Sequence, residues 1–378
     1  MYIHEYQAKD ILRNYGIRTS PGFLISNLND LEKELDKYNW KKYVVKAQVY
    51  SGGRGKAGGI IICKTKEGVR QACFKLLDTT LVTNQNGPNG QKINHLYIES
   101  FSEIEREMYL SMNLDRSLDS IVILSGSMGG IDVEGQKIDS IKINWFAGLQ
   151  DYHVFHVIKS LKLETKNFFF IQGILSGLWN AIKSFDITQI EINPLILNDQ
   201  HEFIVLDTKI TFDDNGLFRQ PKIVNLKDVT QYEATELAAA KSNLSYVRMN
   251  GNIGCIVNGA GLALATMDII KNYGGQPANF LDVGGNVTED AFVKAIEIIV
   301  SDKNVEKILI NIFGGIVKCD LIAEGIISAI NKLQISMPIV VRLQGTNASI
   351  ALEMLEKSNL NLIFAKTLNQ AAELIIKS

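Results

Sequence analysis

The chain has 378 residues, of which 39 are basic, 41 are acidic and 46% are hydrophobic. This composition predicts a globular protein of two or three domains and excludes a global field that would attract nucleic acid or an anionic membrane. The segment MYIHEYQAKD lacks the apolar core of a signal peptide, and no apolar run approaches the roughly 20 residues of a membrane span. With four scattered cysteines and no C-x-x-C pair, we predict a cytoplasmic protein.

The first elements in chain order are two helices followed by a β-hairpin. HEYQAKDILRNYG predicts a helix closed by Gly16, and LNDLEKELDKY predicts a second helix. The strand KYVVKAQV then leads into QVYSGGRGKAGG, residues 48–59, and the strand GGIIICK follows. We call residues 48–59 the glycine loop and predict that it forms the tip of this hairpin, where backbone N–H groups can approach phosphate oxygens.

The glycine loop is rich in bases but is not a Walker A motif. Ala57 follows Gly55-Lys56, and Tyr50 stands five positions before Gly55, so the required spacing fails twice. No acidic residue occurs between Asp36 and Glu67, whereas eight basic residues do. Such a run is commonly a solvated face. Lys46, however, lies inside an apolar strand, where an unpaired ammonium would be costly, so we expect an anionic partner for it.

A second hairpin brings polar residues together on an otherwise apolar ribbon. ITQIEINPLIL and EFIVLDTKITF flank a predicted turn at residues 198–202. That register places Asn193 opposite Asp207 and Glu191 opposite Lys209. The four residues form either a buried structural pairing or part of a magnesium site, because a carboxylate and an amide carbonyl both suit Mg²⁺. With a basic glycine loop in the same domain, the simplest assembly is a Mg-nucleotide held between two hairpins.

From about residue 252 onward, five short apolar strands alternate with helical patterns. This alternation predicts a parallel sheet covered by helices, with ligand sites at the carboxyl ends of the strands. Those ends carry the glycine-containing segments NGAG, VGGN, FGGI and LQGTN. Each alone is more typical of an ordinary βα turn. Leu264 occupies the sixth position of GAGLAL, where a dinucleotide fingerprint needs Gly or Ala, so a classical NAD site is not expected.

Seven segments, in order along the whole chain, resemble the β subunits of succinyl-CoA synthetases: HEYQAK, VVKAQVYSGGRGKAGG, QIEINPL, LFRQP, NGNIGCIVNGAG, PANFLDVGG and INIFGGIVKCD. The resemblance implies an α/β protein with an α+β ATP-grasp nucleotide-binding domain at residues 1–238. A flavodoxin-like, parallel-sheet CoA-ligase domain at residues 239–378 is implied to follow it.

The resemblance also implies roles for particular residues. Nucleotide binding is implied for Lys46, Gly53, Arg54, Gly55, Glu99, Ser102 and Glu107, the first four at the phosphates and the last three at the adenosine end. Asn193 and Asp207 would ligate Mg²⁺, and Glu191 would steer a phosphohistidine carried by a partner α subunit. Asn258, Gly315, Ile316 and Val317 would contact the carboxylate substrate or its phosphate. Residues 315 onward open a helix after a strand, which is typical of an anion site.

Four residues depart from the pattern that the resemblance leads us to expect. Tyr50 stands where a histidine is usual, and Met128 replaces a glutamate. Thr208 replaces a small residue, and Asn286 replaces a third glycine, at which we expect it to adopt a positive φ. The stretch near residues 125–150 is several residues short, which affects the predicted lid around the nucleotide.

The activity implied is the reversible conversion of succinate, CoA and a nucleoside triphosphate to succinyl-CoA, the diphosphate and phosphate, a step of the tricarboxylic acid cycle. ATP is favoured over GTP, and the assembly is αβ or α2β2. Related alternatives are a malate–CoA ligase and a citrate-cleaving enzyme, which differ in the carboxylate pocket. An alternative from another class is a nucleotide-binding regulatory subunit without turnover.

Overall fold

The computed structural model describes residues 1–86, 89–130, 135 and 137–378. Residues 131–134 and 136, inside the shortened stretch, lie outside the described residues. The chain divides into two compact units, Met1–Gln231 and Tyr232–Ser378. All four cysteines are free and buried. Across the described part of the chain, no helix is both long and apolar enough to cross a membrane.

The first unit mixes helices with short antiparallel strands. Its helices are α1 (Glu5–Asn14), α2 (Asn29–Leu35), α3 (Lys66–Leu76), α4 (Asp151–Ser160), α5 (Phe168–Phe185) and α6 (Pro221–Val224). Its strands are β1 (Gly22–Ile25), β2 (Tyr43–Ala47), β3 (Ile60–Cys63), β4 (Thr80–Leu81), β5 (Gln91–Lys92), β6 (Leu96–Ser100), β7 (Arg106–Asp115), β8 (Ser120–Gly126), β9 (Asp139–Ile143), β10 (Ile187–Leu197), β11 (Phe203–Val205) and β12 (Thr208–Phe212).

A four-stranded sheet of order β1-β6-β2-β3 carries the glycine loop. Strands β2 and β3 pair antiparallel, with Lys46 opposite Ile60, so the predicted hairpin is confirmed. Helices α2 and α3 bury apolar residues against this sheet in a core of their own. Every residue of β2 is buried, which makes it a central strand that can fix the start of the loop.

A six-stranded sheet carries the second hairpin, with order β11-β10-β7-β8-β9 and β12 also paired with β10. The pairs Leu195–Val205 and Glu191–Lys209 confirm the predicted register. Helices α1, α4 and α5 supply apolar residues to the core against this sheet. The hairpin is therefore anchored on a buried face, which specifies its register strongly because a slip of one residue would expose that face.

The second unit is the predicted alternation of strands and helices. Its helices are α7 (Ala234–Lys241), α8 (Ala260–Asn272), α9 (Glu289–Ser301), α10 (Cys319–Leu333), α11 (Ala348–Lys357) and α12 (Leu368–Lys377). Its strands are β13 (Ser245–Arg248), β14 (Ile253–Val257), β15 (Asn279–Asp282), β16 (Lys307–Gly314), β17 (Ile339–Gly345) and β18 (Leu362–Phe364).

These strands form one sheet of order β13-β15-β14-β16-β17-β18. Strands β14 to β18 run parallel, and β13 pairs antiparallel with β15 at the edge. Two apolar cores lie against the sheet, as expected for a parallel sheet covered on both faces. Because the strands are parallel, the glycine segments after β14, β15, β16 and β17 all lie at the same edge.

Candidate functional site

The glycine loop and the second hairpin meet through Arg54. Its Nη2 donates to both carboxylate oxygens of Asp207, each at 2.8 Å, and lies 2.7 Å from Oε2 of Glu5 in α1. Its Nη1 donates to the carbonyl of Ala47 at 2.9 Å. Arg54 is buried, whereas the Asp207 side chain is 34% exposed. The side chain proposed to bind phosphate thus contacts the carboxylate proposed to bind metal.

Lys46 has the anionic partners that the sequence led us to expect. Its Nζ lies 2.9 Å from Glu5 and 2.5 Å from Glu99, and it donates to the carbonyl of Leu206 at 2.7 Å. Lys9, one helical turn after Glu5, contacts the same two carboxylates at 2.8 and 2.5 Å. Glu99 therefore lies inside a buried ion network rather than on the protein surface.

We call Glu5, Glu99, Asp207, Lys9, Lys46 and Arg54 the ion network. Its three carboxylates balance its three cations, which offsets the cost of removing them from water. Burial alone would raise the pKa of Glu5, but Lys46, Lys9 and Arg54 outweigh burial and hold that pKa well below its usual range. Burial lowers the pKa of Lys46, but Glu5 and Glu99 outweigh it, so the net pKa is raised. Glu5 and Lys46 are consequently charged at neutral pH.

The second hairpin presents oxygen ligands next to a glycine turn. The N–H of Gly130 donates to Oδ1 of Asn193 at 2.7 Å, and the N–H of Asn193 donates to the carbonyl of Asp207 at 3.1 Å. Gly130 has a φ of 88°, and a Cβ there would stand 2.7 Å from Oε2 of Glu107. The turn thereby brings together a predicted metal ligand and a predicted adenosine contact. Glycine suits position 130 because its φ lies in the left-handed region, which other residues rarely adopt.

Two acids at this site have raised pKa values. Burial raises the pKa of Glu107. Burial is also the main cause of the raised pKa of Glu191, where Lys209 acts in the opposite direction and Asp207 adds to the increase. Raised carboxyl pKa values are more frequent at functional sites than elsewhere, because burial adjusts the pKa of acids and bases to their catalytic task.

Of the remaining predicted residues of the first unit, Gly53 and Gly55 lie on the loop, whereas Ser102 follows β6 at the end of the sheet away from it. Gly53 and Gly55 are exposed, and Gly53 has a φ of 73°. Ser102 lies 3.4 Å from Ser20, oxygen to oxygen. A separate cavity of about 270 Å³ between α4 and α5 contains none of the predicted site residues.

In the second unit, all four predicted substrate residues line one cavity of about 380 Å³. They are Asn258, Gly315, Ile316 and Val317. The Asn258 side chain donates to the carbonyl of Phe313 and accepts from the Phe313 N–H, each at 2.8 Å. Asn258 therefore holds the end of β16 in place as well as lining the cavity.

Asp282 links two of the glycine segments at this edge. Its Oδ1 accepts from the N–H of Gly259 at 2.6 Å and from the N–H of Gly284 at 2.8 Å. Sequence reasoning missed this residue, although its place at the end of β15, inside PANFLDVGG, was a usable signal. The left-handed position in this segment is Gly284, with a φ of 73°. The expectation of a positive φ at Asn286 was wrong, because the residue of this turn with a left-handed backbone is Gly284, two positions earlier.

The helix expected after Gly315 begins at Cys319. Within the preceding turn, the N–H of Gly315 donates to the carbonyl of Phe313, and the N–H of Cys319 donates to that of Thr346, each at 3.0 Å. An anion bound here must therefore use other N–H groups of residues 316–321. Val317 is buried and Ile316 is exposed, so the turn is anchored on one side and open on the other.

Two of the departures have identifiable contacts. The hydroxyl of Thr208 donates to the carbonyl of Glu191 at 2.9 Å and so ties the two strands of the second hairpin. The hydroxyl of Tyr50 accepts from the N–H of Asp228 at 2.9 Å. Met128 is exposed.

Sequence reasoning also missed the roles of Glu5 and Lys9. Both lie on the buried face of α1, together with Ala8 and Leu12. The available signal was an i, i+4 pair of opposite charges on the apolar stripe of an amphipathic helix, where charges need partners.

Comparison with known proteins agrees with this architecture. Residues 2–197 match the ATP-grasp domain family and residues 256–376 match the CoA-ligase family. The fold resembles that of an ATP citrate lyase from Methanothrix soehngenii solved with citrate and coenzyme A, with a TM-score of 0.80 at 18% identity over 100% of this chain and 99% of that chain. The molecule is thus an ATP-grasp protein with a CoA-ligase domain.

Full-length relatives narrow the assignment further. The chain is 48% identical over its whole length, and over the whole of the relative, to the protein named succinate–CoA ligase [ADP-forming] subunit beta of Rickettsia typhi. It is 47% identical, over the same coverage, to the protein of that name from Rickettsia prowazekii. The chain belongs to the family of succinate–CoA ligase β subunits.

Proposed function

We propose that this chain is the nucleotide-binding β subunit of a succinate–CoA ligase. With a partner subunit it converts succinate, CoA and ATP reversibly to succinyl-CoA, ADP and phosphate. The observation that carries the proposal is the contact between Arg54 and Asp207, because it joins a phosphate-type glycine loop to an oxygen-rich hairpin. The ADP-forming name of the full-length relatives supports ATP as the nucleotide.

The nucleotide lies between the two hairpins in this proposal. Lys46, Arg54 and the N–H groups of Gly53 and Gly55 hold its phosphates, while Ser102 and Glu107 form the adenosine end. Glu99, implied by the resemblance for that end, is instead buried with both carboxylate oxygens paired to lysines. Since Glu99 pairs with Lys9 and Lys46, it acts by orienting the Lys46 ammonium.

The oxygen donors of Asn193 and Asp207 fit Mg²⁺, which takes one or two protein oxygens and fills its octahedron with waters and phosphates. When bound, Mg²⁺ neutralises phosphate charge. Asp207 is partly exposed and already offers both oxygens to a cation, the guanidinium of Arg54. A metal at this carboxylate therefore requires Arg54 to share it or to move towards the phosphates.

The carboxylate substrate or its phosphate occupies the cavity lined by Asn258, Gly315, Ile316 and Val317. Gly315, which has no side chain, lets the backbone of this loop approach an anion closely. Buried Val317 anchors this loop, and Asn258 holds the end of β16 that precedes it. The backbone N–H groups of the loop are therefore held in place before substrate binds.

The phosphoryl carrier is a histidine of a partner α subunit, in an αβ or α2β2 assembly. Residues 232–378 contain no histidine, so the second unit cannot supply the carrier itself. His153 is buried, and its ring nitrogens contact backbone groups of Gln150 and Lys142, which leaves it unsuited to transfer. Glu191, with its raised pKa, receives the incoming histidine and accepts its hydrogen bond.

The test is reconstitution. The purified chain is assayed for succinyl-CoA formation with ATP, succinate, CoA and Mg²⁺, first alone and then with an α subunit. We expect activity only after the addition, and loss of that activity when the α-subunit histidine is replaced. Full turnover by the chain alone would contradict the heteromeric proposal.

A thermal-shift panel of ATP, GTP, succinate and malate separates the related alternatives. The reconstituted assay, run with each acid, supplies the turnover. A thermal shift with ATP and turnover with succinate support the proposal. Turnover with malate but not succinate would reassign the carboxylate pocket. Nucleotide binding without turnover of any acid in the reconstituted complex would indicate a regulatory subunit.

A further inference from the structure

Three metal-ligating side chains meet at a place that the proposed reaction does not use. His4 precedes α1, His95 precedes β6, and Asp228 lies near the end of the first unit. Nε2 of His4 is 2.8 Å from Oδ2 of Asp228, and Nε2 of His95 is 3.8 Å from the same oxygen. One ligand atom from each residue lies within 4.8 Å of the other two. We call these residues the histidine cluster.

Neighbouring residues orient two members of the cluster, His95 and Asp228. Oγ of Ser26 is 2.8 Å from Nδ1 of His95, which leaves Nε2 of His95 facing Asp228. Oδ1 of Asp228 accepts from the N–H and hydroxyl of Thr230 at 2.9 and 2.6 Å, which leaves Oδ2 facing the two imidazoles. Hydrogen bonds of this kind, from outside the ligand set, typically fix the tautomer and direction of metal ligands.

The distances fit a small transition-metal ion. Two ligands of tetrahedral Zn²⁺, each bound at about 2.1 Å, are about 3.4 Å apart. The two nitrogen-to-oxygen separations in the cluster, 2.8 and 3.8 Å, lie on either side of that value. Adjustments of about half an ångström at the carboxylate would equalise them, and Asp228 and His95 have 11% and 28% exposed side chains that permit both movement and entry.

We propose that His4, His95 and Asp228 bind a divalent transition-metal ion of the zinc type, with water at the remaining position. Two imidazoles and one carboxylate suit zinc, whereas Mg²⁺ prefers oxygen ligands alone. The site is distinct from Asn193 and Asp207 in both its residues and its donor atoms. By joining residues 4, 95 and 228, the ion would link the start of α1 and the end of the first unit to the four-stranded sheet that contains β6.

The competing explanation is a purely structural hydrogen bond between His4 and Asp228, to which His95 contributes nothing. Tyr50 packs its ring 4.7 Å from that of His4 and accepts from the Asp228 N–H, so this pair is well supported without metal. The two explanations differ at His95. If the pair alone matters, replacing His95 changes little; if metal binds, replacing His95 removes a ligand while the His4–Asp228 pair remains.

The test compares His95→Gln with His201→Gln in the full-length chain. His201 is the matched control because it is another histidine near a carboxylate, 3.6 Å from Glu105, on an exposed turn. Among the described residues, it belongs to no group of three potential metal ligands. Chains stripped with a chelator are titrated with Zn²⁺ in the presence of millimolar Mg²⁺, which occupies oxygen-only sites. Metal content, affinity and the thermal midpoint are measured.

We expect one Zn²⁺ per chain in the wild type and in His201→Gln, with a higher thermal midpoint on binding. His95→Gln should weaken binding by at least about tenfold and lose the thermal shift. Equal zinc affinity in wild type and His95→Gln would overturn the proposal. X-ray absorption of the zinc-loaded wild type tests it without any variant, since two imidazole ligands are expected and an all-oxygen shell contradicts it.

Discussion

The guanidinium of Arg54 donates two hydrogen bonds of 2.8 Å to the carboxylate of Asp207, which lies 153 residues later in the sequence. Both bonds come from Nη2, and hydrogen bonds between two charged groups are about twice as strong as neutral ones. The carboxylate proposed to bind metal is thus hydrogen-bonded to the guanidinium proposed to bind phosphate. In the proposed complex, Asp207 would hold Mg²⁺ and Arg54 would hold phosphate, so each charge would keep an opposite charge as its partner.

Arg54→Ala should destabilise the chain far more than Lys56→Ala. Arg54 is buried against Glu5, and its removal leaves a buried carboxylate with fewer cations, a loss of about 3–5 kcal/mol for a broken buried pair. Lys56 is exposed, and its replacement should change the free energy of unfolding by less than about 0.5 kcal/mol. Urea denaturation measures both. Titration calorimetry should show the same order for ATP affinity, and the reverse order would mean that Lys56, not Arg54, faces the phosphates.

Asp207→Asn should weaken binding of Mg-ATP by at least about tenfold, because it removes a charge from the proposed metal site. Asp199→Asn is the control, since Asp199 lies on the exposed turn of the same hairpin. ATP affinity is measured with and without Mg²⁺ in all three chains. An unchanged magnesium dependence in Asp207→Asn would remove Asp207 from the site.

Glu191→Gln should lower activity of the reconstituted enzyme by about a hundredfold or more while making the chain relatively more stable at neutral pH. The folded pKa of Glu191 is raised above its ordinary value of 4.5, mainly by burial. As the pH rises through the interval between these values, the unfolded chain releases a proton that the folded chain keeps, so wild-type stability falls. The glutamine variant lacks this loss.

The stability difference between Glu191→Gln and wild type should therefore grow as the pH rises from about 4.5 and then level off above the folded pKa. Urea denaturation at several pH values measures it. Glu202→Gln, at the turn of the same hairpin, is the control for a general effect of removing one acid. A difference that shrinks with rising pH would show that the attraction of Lys209 dominates burial.

Asp282→Ala should loosen the edge of the parallel sheet that carries the proposed carboxylate cavity. Two backbone N–H groups lose a charged acceptor, which should lower the free energy of unfolding by about 2 kcal/mol or more. Asp282→Asn keeps an acceptor oxygen and should lose less. Hydrogen exchange should speed up at Gly259 and Gly284 in the alanine variant, and unchanged exchange there would show that Asp282 does not hold these loops.

The sequence by itself determined the local architecture. Strict alternation and a turn at residues 198–202 were enough to pair Glu191 with Lys209, because side chains alternate with period two and one face of the hairpin is buried. Strand–helix alternation likewise predicted the parallel sheet and put Asn258 and Gly315 at one edge. These features follow from neighbouring residues and from the few topologies that bury an apolar face.

Only the tertiary structure decided which distant charges meet. Nothing near Arg54 in sequence indicates that it is buried against Glu5 and Asp207, and nothing near His4 indicates His95 or Asp228. Such contacts depend on how α1 packs between the two hairpins, and a side chain's partner across the fold leaves no periodic signal in the chain. Burial then compels those charges to pair, since an isolated charge removed from water costs far more than any local propensity can supply.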